Sequence, residues 1–203
     1  MFALVEDDAF VRIVNSNKGI QIDDNQYPKT IFSLWSNAER EAIGIYEVVM
    51  DTTNYKDEAY YINTDVSYAY SSGTVTGSYG TATAKPIADI LFEDGDVIPS
   101  DKAVGDIKSH GLKGLEIAKI KAQASGLLTP TDWHVVKATE VSDYNVPSNV
   151  ATYRTNVRAK SNEMETQINA CSDVEALKTL FTWVYDKDTN TSSRPLASFP
   201  EEI

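Results

Sequence analysis

A chain of 203 residues with a formal net charge of -12 and a pI near 4.5 repels phosphates and anionic lipid, which argues against non-specific binding to nucleic acid or to a charged membrane surface. With 42% hydrophobic and 24% charged residues, it can bury a core in one large domain or two small ones. A lone cysteine excludes an intramolecular disulfide, no apolar run reaches the ~20 residues that span a bilayer, and the acidic opening has no secretory-type basic region.

Phe2, Leu4, Phe10, Val11, Ile13 and Val14 flank Glu6-Asp7-Asp8, the pattern of a β-hairpin with an acidic turn. Gly19 to Ile22 continues extended, and Asn25 to Pro28 reads as loop. Ser36-Asn37-Ala38-Glu39 has the form of a capping box and opens a short helix that Gly44 ends. Strands are predicted from Ile45 to Val49, from Tyr60 to Tyr70 (one long strand or a hairpin) and from Thr74 to Thr83, with Ser71-Ser72-Gly73 as a turn. Tyr60, Tyr61, Tyr68, Tyr70 and Tyr79 are the expected partner contacts, because tyrosine suits a sheet that is wet on one side or meets another protein. Gly73, Gly77 and Gly80 lack the Lys-Ser/Thr of a phosphate loop and are expected at bulges or close backbone approaches.

Glu93-Asp94-Gly95-Asp96 and Pro99-Ser100 form an acidic, breaker-rich link. The expected division is therefore a β-rich docking domain over 1–92, a helical hairpin domain over 101–185 and a flexible polar tail over 186–203. The first helix is predicted over 101–128, with a seam through Val104, Ile107, Gly111, Leu115, Ala118, Ala122 and Ser125. Ile117, Ile120, Ala124 and Leu127 make a second stripe on it, one more than a hairpin needs, so Ile117, Ile120 and Leu127 join the tyrosines as expected partner contacts. Gly105, Gly111 and Gly114 weaken an isolated helix but permit close packing.

Thr129 to Trp133 closes that helix, and Pro147-Ser148 opens a second, which runs to Ala170 with Val150, Tyr153, Val157, Met164, Ile168 and Cys171 on one face. A capping box at Ser172-Asp173-Val174-Glu175 starts a third, carrying Leu177, Leu180, Phe181 and Val184. The fold class is α+β: a small antiparallel β-rich N-terminal domain followed by an antiparallel α-helical hairpin with a third short helix.

His110 and His134 are the only imidazoles, and the carboxylate clusters lack calcium-loop spacing. No catalytic residue, metal site or cofactor is therefore expected, and the chain reads as non-enzymatic; an envelope hydrolase would have to start from His134, Glu140 and Asp143. Asp132, Trp133, Tyr153 and Arg154 are expected to build the hairpin tip, Asp132 capping a turn and Trp133 plugging the open end. Arg154 and Arg158 share a helix face and are placed to pair with Asp132 or Asp143.

The run Leu127-Leu128-Thr129-Pro130-Thr131-Asp132-Trp133, then Pro147-Ser148, then Tyr153-Arg154-Thr155-Asn156-Val157-Arg158, resembles a segment of tailed-bacteriophage tail-fibre assembly proteins and related tail-fibre or baseplate components. In that family a helix ends in Leu-Leu-x-x-Thr-Asp-Trp, and a proline-containing loop and a helix with Tyr-Arg-x-x-(Leu/Val)-Arg follow. Met1 to Glu6 and Leu34 to Val48 are similar to the family's N-terminal strand and to its short helix leading into a Gly-Ile/Val-Tyr-x-Val strand. Two departures stand out: strand or short-helix character from Val135 to Val141, and a longer, polar tail after Leu180. The resemblance implies a virion protein of the tail, a fibre- or baseplate-associated adaptor that docks to other phage tail or fibre subunits. With the second stripe, it implies a homo-oligomer, a trimer or a higher cyclic assembly. A tail-fibre assembly chaperone, absent from the particle, is the alternative. Either is present in the host cytoplasm during assembly, and neither brings active-site residues with it.

Overall fold

A computed structural model describes residues 1–203 and divides them into two compact units, Met1–Thr83 and Ala84–Ile203. Strands dominate the first and helices the second, an α+β chain. The division lies ahead of the acidic link rather than in it. The reason is that residues 86–89 serve the helical unit, supplying acceptors for the first amides of its long helix.

In the first unit, β1 (Phe2–Glu6) and β2 (Ala9–Val14) form the predicted hairpin. Asp7 and Asp8 both take positive φ, 49° and 57°, as a two-residue turn of this type demands. Residues 25–28 are not simply loop. β4 (Asn25–Tyr27) pairs with β3 (Ile20–Ile22) across Asp23, itself at φ 51°.

Two short helices follow, α1 (Ile31–Leu34) and α2 (Asn37–Glu41), the second opened by the expected capping box. Ser36 Oγ accepts from the Glu39 amide, and that bond is returned by the Ser36 amide donating to Glu39 Oε2 at 2.8 Å. The Ser36 amide, and after it the Ser36 hydroxyl donating to the same Oε2 at 2.7 Å, hold the Glu39 carboxyl below the usual range. Arg40 is buried, its guanidinium over the Phe2 ring and donating to the Trp35 and Ile31 carbonyls where α1 ends.

β5 (Ile45–Asp51), β6 (Tyr61–Ile62), β7 (Val66–Ser71), β8 (Thr74–Tyr79) and β9 (Thr83–Ala84) complete the strands of this part. The stretch from Tyr60 to Tyr70 is thus two strands, and residues 63–65 interrupt it. The main sheet runs β2-β1-β5-β8-β7 and is antiparallel except at β5–β8, where the intervening β7 lets the chain return parallel.

Every residue of β1 from Phe2 to Val5 is apolar because both faces of the sheet are covered. Leu4, Val14, Ile20, Ile31 and Ile45 pack on one side, under α1 and the β3–β4 hairpin. Ala3, Val5, Val48 and Val75 pack on the other with Phe10, Tyr46, Tyr68 and Tyr70. No helix covers this second face. Instead the sheet curls, helped by a register shift between Leu4 and Val5, until β2 and β7 approach each other. Phe10 stacks on Tyr68 there at 5.1 Å.

The hydroxyls of Tyr46 and Tyr70 share a hydrogen bond of 3.2 Å inside the curl. That bond, followed by burial, pushes the Tyr46 phenol up to about 12 from an ordinary value near 10. The folded state thus keeps a proton that the unfolded chain releases first. The resulting stability is complete below pH 10 and is lost as pH rises toward about 12. Denaturation of the wild-type chain is expected to ease across that window, and Tyr46→Phe should flatten the decline.

In the second unit, β10 (Ile90–Leu91) pairs with β11 (Ile107–Ser109), and α3 covers Leu112–Leu128. The predicted start of α3 at 101 is corrected by this. Gly105 sits at φ 90°, and the residues up to Ser109 are turn and strand. A 3-10 turn (Thr129–Thr131), α4 (Asp132–Glu140), α5 (Ser148–Ala170) and α6 (Val174–Phe181) follow. Asp173 alone caps α6, accepting from the Ala176 amide at 2.8 Å.

α3 and α5 pack together as the predicted hairpin, and the α5 face is buried as expected: Val150, Tyr153, Val157, Met164, Ile168 and Cys171. Burial and desolvation push the Cys171 thiol up, leaving it a protonated apolar filler. On α3 the seam is the other stripe. Ile120 and Ala124 are buried and Ile117 and Leu127 half-buried, whereas Leu115, Ala118, Ala122 and Ser125 face solvent. The larger side chains remove more apolar area from water, and the phase inferred from Val104 and Ile107 does not apply to residues outside the helix.

The tail does not hang free. β12 (Val184–Asp186) pairs with β13 (Thr191–Ser193), which takes Val184 off the third helix. Beyond it, Leu196 is 2% exposed and Phe199 packs on Ala124, Tyr153 and Val157.

Candidate functional site

The tip of the helical hairpin is assembled around Arg154, which projects from the second turn of α5 and is 8% exposed. Its Nη1 donates to the Leu128 carbonyl at 2.9 Å and to Thr131 Oγ1 at 2.6 Å. Its Nη2 meets Asp132 Oδ1 at 2.8 Å. Leu128 ends α3, its carbonyl also accepts from Thr131 Oγ1 at 2.7 Å, and a cation there suits the helix dipole. Asp132 occupies the first turn of α4, where a carboxylate is favoured for the opposite reason. One planar guanidinium thus ties the end of one helix to the start of the next. Tyr153 adds a bond from its hydroxyl to the Leu127 carbonyl, 3.4 Å.

Three of the four predicted tip residues, Asp132, Tyr153 and Arg154, are brought together in this way. Asp132 pairs rather than caps, since Thr131 holds the N-cap position of α4. Arg158 donates to the Arg154 carbonyl at 3.4 Å. Trp133 does not plug the hairpin. It is 54% exposed, its ring stacked on His134 at 3.7 Å with Lys137 Nζ 5.9 Å from its centroid. The other face of that group is Tyr144, whose hydroxyl bonds His134 Nδ1 and whose ring lies 4.3 Å from Lys137 Nζ. His134 therefore meets a phenol and an indole.

α4 contains no buried residue at all, and Val135 and Val136 are exposed beside Trp133. A helix of nine residues is marginal in water by itself, so the Arg154 link and the Trp133–His134–Tyr144 stack are what hold it. A shallow depression of about 390 Å³ lies beside the tip, lined by Asn149, Thr152, Tyr153, Asn156, Pro200 and Ile203 among others.

The tyrosines expected as partner contacts are engaged within the first unit. Tyr68 stacks on Phe10, Tyr70 on Tyr46 at 4.9 Å, and Tyr79 on Tyr55 at 5.0 Å. Tyr61 is buried with Lys56 Nζ 5.1 Å over its ring, and Tyr60 is half-buried. Ile117, Ile120 and Leu127 line the α3–α5 seam. Sequence reasoning missed Lys137 and Tyr144, which complete the Trp133 group, and Gln167, Leu196 and Phe199, which fix the tail. Two apolar residues beside prolines in a polar stretch, Pro195-Leu196 and Phe199-Pro200, were the available signal.

No protein-family model, curated protein or solved structure matches this chain.

Proposed function

We propose that this chain is a docking protein of a bacteriophage tail, an adaptor associated with fibre or baseplate that acts by binding other tail subunits. The observation that carries the reading is the outward side of α4, where Trp133, Val135 and Val136 stand in solvent on a helix that buries nothing of its own. Exposed tryptophan on a rigid base is the kind of group that anchors protein interfaces. The residues resembling phage tail proteins, from Leu127 to Trp133 and from Tyr153 to Arg158, are the ones that build and brace this tip. The chain after Asp186 is seated on the helical unit through Leu196 and Phe199, so it does not by itself favour a virion component over an assembly chaperone.

Mass spectrometry of purified particles separates the two roles: an adaptor is retained, whereas a chaperone is needed for assembly and absent afterwards. A chain neither retained nor needed refutes both. Trp133→Ala is expected to cost about 0.5–1.5 kcal/mol of folding stability, what its stack on His134 supplies, and to leave the helical unit folded. The same change should weaken capture by the tail partner about tenfold or more, measured by co-sedimentation with partner subunits.

A further inference from the structure

The segment from Arg194 to Pro200 lies on the helical hairpin in the manner of a bound peptide. Leu196 is the first anchor, 2% exposed, and its amide donates to the Leu180 carbonyl at 3.0 Å. Phe199 is the second, packed on the Ala124–Tyr153–Val157 cluster. Between them the Gln167 side-chain amide grips the backbone from α5. Its Nε2 donates to the Pro195 carbonyl at 3.2 Å, and its Oε1 accepts from the Ala197 amide at 2.9 Å. Two apolar anchors three residues apart and a two-point amide clamp make a groove that reads one extended sequence.

The connection to this strap is of a different character. All twelve residues from Thr182 to Ser193 are exposed. They include Trp183, Val184 and Tyr185, at 57, 60 and 56% exposure. The ribbon they form is two-stranded, a size that is marginal without further packing. At its junction with the strap, Arg194 lies 5.0 Å over the Trp183 ring while its Nε is buried with no hydrogen-bond partner. Opened, this arm reaches about 40 Å at ~3.3 Å per residue.

We propose that the groove also takes the Arg194–Pro200 strap of a second copy of this chain, so that copies link by exchanging their C-terminal segments. The occupant is specified by the seated sequence: whichever copy supplies it, Leu196, Phe199 and the Gln167 clamp make the same contacts. Exchange therefore costs only the opening of the exposed ribbon and the loss of free motion, which is why swapped segments are an accessible route to oligomers. Trp183, Val184 and Tyr185, which the closed form leaves in water, lie on the linking arm where two exchanged copies face each other.

Two full-length variants, Gln167→Cys and Ala197→Cys, each also carrying Cys171→Ser, test this when mixed. They are held together near millimolar concentration, diluted and oxidised, with one variant bearing a mass tag. Exchange yields a disulfide-linked pair containing one chain of each kind, in a yield that rises with the concentration of the mixing step. Only monomers, or only pairs of like chains, at every concentration overturns the proposal. Should either variant fail to fold, native mass spectrometry of wild-type chains grown in light and heavy isotopes detects exchange directly. Mixed-isotope oligomers that disappear when Leu196→Asp is introduced sustain it, and wild-type monomers alone refute it. Purified protein suffices for both measurements, so the result is independent of whether the chain is found in particles.

Discussion

Arg154→Met is expected to lower the stability of the helical unit by about 2–4 kcal/mol, the range for removing one member of a buried charged network. Methionine conserves much of the volume but leaves the Leu128 carbonyl and Thr131 Oγ1 without the donor they now share. Thr131 Oγ1 goes on donating to the Leu128 carbonyl at 2.7 Å, so what is lost is the pair of charge-assisted bonds, roughly 1.5–3 kcal/mol each. Asp132 contributes less to the sum, because its side chain is 55% exposed and can be hydrated once alone. Asp132→Asn should therefore cost about 1 kcal/mol or less. Arg154→Lys should recover only part of the loss, since an ammonium cannot reach three acceptors in one plane. Urea unfolding followed by circular dichroism checks the order; an Arg154→Met chain within about 0.5 kcal/mol of wild type would remove the guanidinium from its central place.

Gly111→Ala should destabilise the same unit by about 2–3 kcal/mol, while Gly126→Ala should stabilise it by up to about 1 kcal/mol. Both glycines belong to α3, one as its N-cap and the other within its last turn. A Cβ on Gly111 would press into the Ala88 carbonyl, well inside the 3.0 Å that real Cβ atoms keep, and that backbone is part of the segment that leads into β10. That segment is the one that caps the helix: the Gly111 amide donates to Asp89 Oδ1 at 2.8 Å, and the Leu112 and Lys113 amides to the Pro86 and Ile87 carbonyls. Displacing it would unmake three bonds at once. A Cβ on Gly126 meets nothing within 4 Å, so alanine there only removes the entropy that glycine loses on entering a helix. Thermal melts of the two variants should move in opposite directions, and equal shifts would show that the close contact at Ala88 carries no cost.

The same contact explains where the sequence was legible and where it was not. The α5 face could be read because Val150, Tyr153, Val157, Met164 and Ile168 repeat at the helical period within one element. The Ser36–Glu39 box could be read because both of its bonds span three residues. The start of α3 could not, since the acceptors for its first amides lie more than twenty residues earlier and leave no local trace. Nor could the seating of the tail, because Leu196 and Phe199 acquire meaning only beside Gln167 and Tyr153. Alternation placed Tyr68 and Tyr70 on one face of a strand, but period two does not say whether that face is open or rolled inward. At the tip, spacing and charge placed Arg154 and Arg158 to pair with Asp132 or Asp143, and it is Arg154 that meets Asp132. The outward turn of Trp133 did not follow from them, for it depends on stacking with His134.

The inward roll of the first unit's sheet has a bearing on self-association in crowded conditions. β2 and β7 are its terminal strands, and in a flat sheet each would offer a row of unpaired amides and carbonyls to any passing chain. Brought near each other and roofed by the Phe10–Tyr68 pair, they leave a stray strand little room to add. A polypeptide that keeps sticky apolar groups on its helical tip and on an exposed ribbon has, in its other half, a built-in guard against unwanted β-aggregation.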